Sequence, residues 1–161
     1  MPSLLPYNSF LYPNEDYFKL FIKRSKTRTL IHMQVLTGVV NTRDIPSTYN
    51  ILARFLPGIL KSKCFNDEKI PFFEEVRETE IGHLFEHILL EYLCQLKITE
   101  GADDVVYSGI TDWNWYKDPR GLFHITIDSG QDDADIFPIA LEKSMTLLNY
   151  IMEEGPPSTL N

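Results

Sequence analysis

Thr79-Glu-Ile-Gly-His-Leu-Phe-Glu-His-Ile-Leu-Leu-Glu-Tyr-Leu-Cys-Gln-Leu-Lys97 is the stretch on which the fold turns. Ile81, Leu84, Phe85, Ile88, Leu89, Tyr92 and Leu96 recur at helical spacing, which predicts one helix over 79–97 with an apolar stripe against a core. Gly101 follows as a stop. The face left free by the stripe carries His83, Glu86, His87 and Glu91. Four ionisable groups beside an apolar stripe make either a solvated face or a site.

The segment from His83 to His87 spells H-x-x-E-H, the inverted zincin signature. Residues at i and i+4 project from the same face one turn apart, so the two imidazoles can converge on one ion. Glu86 stands beside that ion. Zinc brings the pKa of a water it binds towards 7, and a neighbouring carboxylate can take the proton. Glu86 is therefore the expected general base, and His83 and His87 are expected to hold Zn2+. Iron, manganese, nickel or cobalt would accept the same donors.

Catalytic zinc usually has three protein ligands and an open position. Glu91 is eight residues from His83, about 12 Å along the axis, and is expected to orient a histidine rather than share the ion. The third ligand should come from another element. Glu142 on the last helix is the foremost choice, with Asp128, Asp132 and His124 behind it. His32 reads as structural.

Working outward, residues 16–24 have Tyr17, Leu20 and Phe21 at helical spacing and are expected to form a short helix. Lys23, Arg24, Lys26 and Arg28 read as a solvated basic turn. Residues 29–40 are β-branched and apolar, hence a strand. A turn at Asp44–Ser47 leads into a helix containing Tyr49, Leu52, Ala53 and Leu56, ended by Pro57-Gly58. Residues 61–76 form a connection. Two strands follow near 104–110 and 121–128, then a helix at about 136–152. Helices and strands do not alternate, which predicts an α+β fold: a mostly antiparallel sheet covered by helices. Residues 1–28 are read as an N-terminal extension packing on the body, 29–154 as a single domain and 155–161 as a tail.

Bulk properties narrow the function. With 43% hydrophobic residues the 161-residue chain can bury a core. A net charge of −8 supplies no basic surplus for a nucleic-acid backbone. No apolar run approaches the roughly 20 residues that span a bilayer, and Pro2, Pro6 and Pro13 break any leader-like stretch. A cytoplasmic protein is expected, with Cys64 and Cys94 reduced. No Walker-type phosphate loop is visible, so ATP-dependent ligation is not expected.

From about Leu30 to Tyr150 the chain resembles the N-terminal domain of cyanophycin synthetase. The resemblance is carried by the strand Leu30–Val40, by Phe55-Leu-Pro-Gly58 with Cys64 after it, and by Gly82-His-Leu-Phe-Glu-His-Ile-Leu-Leu-Glu91. Arg120-Gly-Leu-Phe-His-Ile-Thr-Ile-Asp128 and the final helix complete it. The resemblance implies the metallohydrolase fold shared by pitrilysin-type peptidases and S-ribosylhomocysteine lyase. It implies zinc at His83 and His87, a third ligand on the last helix at Glu142, and hydrolysis of amide or isopeptide bonds in an aspartate–arginine polymer or peptide. Trp113, Trp115 and Tyr116, with Arg120, would then wall the substrate cleft, unless an oligomer partner buries that loop. Asp112, Asp118 and Asp132–Asp135 would suit a guanidinium. Lys61-Ser-Lys63 and the two tryptophans depart from that family. The rival readings are a metal-containing module that binds a polymer or partner, and a lyase using Cys64 or Cys94 as an added acid–base group.

Overall fold

The computed structural model describes residues 17–61, 70–103 and 105–155, together with the backbone of 5–6. Cys64, the tail from residue 156 and most of the N-terminal lead-in lie outside the described residues. The elements in chain order are β1 (Leu5–Pro6), β2 (Phe18–Arg24), β3 (Thr29–Val35), α1 (Thr48–Phe55), α2 (Phe72–Glu75), α3 (Ile81–Thr99), β4 (Gly109–Asp112), β5 (Leu122–Ile127) and α4 (Phe137–Glu153). The strands form one sheet in the order β1-β2-β3-β5-β4, antiparallel at every pairing. The architecture is the expected α+β layer of helices on an antiparallel sheet.

Residues 18–24 are a strand, not the expected short helix. Phe18, Leu20 and Ile22 are buried while Lys19 and Lys23 are exposed, a period of two that pairs with β3 from Phe18↔Val35 to Arg24↔Thr29. The basic turn that follows is only partly solvated. The Arg24 guanidinium lies 4.2 Å from the centre of the Phe137 ring, and its Nη2 donates to the Gly130 carbonyl. The later strand expected near 104–110 starts at Gly109.

One face of the sheet is the core face. Ile31, Met33 and Val35 of β3 and Phe123, Ile125 and Ile127 of β5 are buried there with the β2 residues. The helices α3 and α4 pack over that face, burying Leu84, Phe85, Ile88, Leu89 and Leu93 from one and Ala140, Leu141, Leu148 and Ile151 from the other. Gly82 sets the approach of α3 to β5, because its Cα lies directly against the Phe123 ring and a methyl group there would collide with it. At the far end Gly101 takes φ +105, a left-handed conformation that closes the helix as its sequence position suggests.

The start of α3, where the histidines sit, is tied down by backbone. Ile81 N–H donates to the Val40 carbonyl at 2.9 Å, and Thr42 N–H to the Thr79 carbonyl at 2.8 Å. The buried Thr42 hydroxyl donates to Val76 O at 2.7 Å and accepts from Thr79 N–H at 2.9 Å. These contacts join α2, the turn after it and the helix start into one support. The turn before α4 is held similarly: buried Asp133 accepts from Ser129 at 2.7 Å, Tyr107 at 3.0 Å and Lys97 at 3.3 Å. Among the described residues no helix is long and apolar enough to cross a membrane.

Candidate metal centre

His83 and His87 stand one turn apart on α3, and their Nε2 atoms are 3.2 Å apart with the rings nearly perpendicular. Two nitrogens on one tetrahedral zinc, each about 2.0–2.1 Å from it, lie about 3.3–3.4 Å from one another. The observed spacing thus fits two ligands of a single ion. Thr79 Oγ1 is 2.9 Å from His83 Nδ1. With Nδ1–H donating to that oxygen, the His83 Nε2 lone pair accepts from His87 Nε2–H in the metal-free molecule and would turn to an ion when one binds. Phe72 of α2 stacks on the His87 ring, 4.0 Å between centres and 14° between planes. Burial, with the His83 charge adding to it, pushes the His87 imidazole down to about 3. His87 is therefore neutral at neutral pH, the state a metal ligand needs.

Glu86 is buried between α3 and β4. Thr111 Oγ1 donates to its Oε1 at 2.6 Å. Burial raises the Glu86 carboxyl above the ordinary range; the Thr111 hydrogen bond and His83 draw it back, and Glu75 adds to the rise. Gly109 leaves the room for this carboxylate, since a Cβ there would come within 3.0 Å of Glu86 Oε2.

The other residues expected at the site fall elsewhere. Glu142 lines a surface cavity with Phe55, Tyr92, Lys143 and Tyr150. Tyr92 is nine residues past His83, about 180° round the helix, so this cavity opens on the opposite side of α3. The structure does not bring Glu142 to the histidines. Glu91 does not reach back to a histidine as expected: its carboxylate lies over Gly58 and accepts from Gln95 at 3.2 Å. Asp128 accepts from Ser108, Asp132 from the Gly130 N–H, and His124 bonds Asp118 at 3.0 Å while meeting His32 edge-on. Among the described residues no group of three histidine, cysteine, aspartate or glutamate side chains converges on one point.

Trp113 and Trp115 pack on Phe123, each 5.6 Å between ring centres, and Arg120 lies over Trp115. Trp115 Nε1 donates to Leu122 O at 3.0 Å. The loop folds back on the end of β5, and its residues Trp113 to Tyr116 line a cavity of their own. Of the acidic groups suited to a guanidinium, Asp118 and Asp133 are already engaged. Cys94 is half-buried, and burial pushes its thiol up, which makes it a poor acid–base group.

Sequence reasoning did not anticipate Phe72, Glu75, Thr79 or Thr111. Thr79 precedes His83 by four residues, as His83 precedes His87, and that spacing was the available signal. Replacing Thr79 by valine keeps the volume and removes the oxygen. Zinc affinity is expected to fall about 10- to 100-fold, read by competition with a chromophoric chelator; an unchanged affinity would show that Thr79 does not orient the ring.

A family model described as the cyanophycin synthase-like N-terminal domain matches residues 30–142, well over half of the chain and including the whole site. No curated protein matches the chain. The chain belongs to the cyanophycin synthase-like N-terminal domain family.

Proposed function

We propose that the protein is a zinc-dependent hydrolase of amide or isopeptide bonds, acting on an aspartate–arginine peptide or polymer. The observation that carries this reading is the pair of converging Nε2 atoms at 3.2 Å with the buried carboxylate of Glu86 on the same helix face. His83 and His87 would hold the ion. Zinc, when bound, supplies a Lewis acid that polarises the scissile carbonyl and acidifies water.

The remaining steps belong to side chains. Glu86, ionised, accepts the proton of the attacking water and returns it to the leaving nitrogen. Its raised affinity for protons suits both halves of that exchange, because a base that binds a proton too weakly cannot hold it between the two steps. The Thr111 hydroxyl fixes one carboxylate oxygen and leaves the other for the water. Thr79 and Phe72 hold the two imidazoles.

A second reading is a metal-containing module that binds the polymer without cutting it; a closed site with four protein ligands would favour it, because catalysis needs an open position. Assay of the zinc-loaded protein on arginine-bearing aspartyl peptides separates the two. Cleavage that stops on chelation and returns with zinc is the expected result. Bound zinc with no cleavage would leave the binding module, and cleavage indifferent to chelation would remove the metal from the reaction.

A further inference from the structure

The loop from β4 to β5 carries the chain's two tryptophans, Trp113 and Trp115, followed by Tyr116. Its rings are held in place. Trp115 is fixed at three points: Nε1 donates to the Leu122 carbonyl, the ring packs on Phe123, and the Arg120 guanidinium lies 5.3 Å from the ring centre. Asn114 Oδ1 accepts from the Tyr116 N–H at 3.1 Å and shapes the tip. Trp113 rests on Phe123 yet leaves 39% of its surface to solvent, and Tyr116 is fully exposed. Residues Trp113 to Tyr116 line a cavity of about 560 Å³, inside the roughly 300–1,000 Å³ of ligand sites.

Contacts tie this cavity to the start of α3. Strand residues alternate faces, and two residues advance about 7 Å. Thr111 of β4 bonds Glu86 of α3, so the next residue on that side of the strand is Trp113. Asp112 pairs with His124, which sets Trp113 level with Phe123, and the two rings meet at 5.6 Å between centres. Phe123 in turn lies against Gly82, whose neighbour is His83. One short stretch thus carries the residue that holds the base and, about 7 Å further on, an indole at the level where the histidines begin.

We infer that Trp113 and Tyr116 form the subsite for the arginine side chain of the substrate, receiving its guanidinium on their ring faces. The inference rests on the reading of the site as a hydrolase of an aspartate–arginine chain. A planar cation over an aromatic face is attracted by the ring quadrupole, most strongly over an indole. Arg120 on Trp115 shows the same pairing within the chain. Rings take the part that Asp118 and Asp133 do not, since His124 and Ser129 engage those carboxylates. Because Trp115 and Asn114 fix the loop, little ordering is left for the substrate to impose. Such a subsite selects by charge: it prefers arginine to a neutral side chain of the same shape.

The test uses the zinc-loaded full chain carrying Glu86→Gln, so that the probe is retained. One probe is an aspartate peptide bearing arginine on its side-chain carboxyls; the other bears citrulline, which keeps the shape and loses the charge. Calorimetry reads affinity, and indole emission reads the loop alone, because both tryptophans lie in it. The arginine probe is expected to change the emission and to bind about 3- to 30-fold more tightly than the citrulline probe. Trp113→Leu is expected to abolish that preference by weakening the arginine probe alone. Trp113→Phe keeps a ring to pack on Phe123 and is expected to retain part of the preference with zinc content unchanged. Equal affinity for the two probes, binding without a change in emission, no binding, an equal loss for both probes in Trp113→Leu, or an undiminished preference in both variants would each overturn the subsite. Cleavage is read separately on wild type. Preference without cleavage keeps the subsite and removes the hydrolase, whereas cleavage without preference does the reverse.

Discussion

Glu86→Gln is expected to lower the rate of amide cleavage about 10²- to 10⁴-fold, the range a positioned general base contributes. The glutamine carbonyl can still accept from Thr111 Oγ1, which holds the carboxylate at 2.6 Å in the native chain, so the packing between α3 and β4 should survive. What is lost is the group that takes a proton. Glu86 is directed at β4, whereas the two Nε2 atoms face one another, so zinc content should be unchanged. The loss should fall on kcat with KM little altered, because the carboxylate acts in the transition state rather than in holding substrate. Steady-state kinetics on a chromogenic arginyl isopeptide checks this. A fully active Glu86→Gln protein would contradict the assignment of the base.

Phe72→Ala is expected to cost about 3–5 kcal/mol of stability, as truncations of fully buried aromatics do. Phe72 has no exposed surface, and its ring is the floor on which His87 lies. Its loss opens a cavity under the imidazole, so melting temperature and zinc affinity should fall together. Phe72→Leu fills part of the space but cannot stack, and separates the two effects: it should recover most of the stability and less of the affinity. Thermal unfolding with and without zinc reads both. A melting temperature within about 2 °C of wild type would show that α2 does not support the site.

How far the chain could be read depends on whether the information was local. The helix α3 was legible because seven apolar residues keep one phase over nineteen positions. The segment at 18–24 was not, because Tyr17, Leu20 and Phe21 satisfy a helical spacing while Phe18, Leu20 and Ile22 satisfy a strand spacing. Seven residues are too few to choose, and the pairing with β3 decides. The same division holds at the site. His83 and His87 share one helix, so their approach follows from spacing alone. Phe72 and Thr111 come from separate elements, and nothing in their own neighbourhoods marks them. Glu142 failed for a related reason: α4 was correctly read as a helix, but which side of α3 it covers is a tertiary fact, and Glu142 falls on the side of Tyr92 rather than that of the histidines.

Every step proposed for the site depends on His83 and His87 holding a metal ion. Metal content of the protein purified without a histidine tag, for wild type beside His87→Ala, tests it most directly. About one equivalent of zinc is expected in wild type, and its loss in the variant. No zinc in either protein and no uptake when zinc is added, or equal zinc in both, would contradict it.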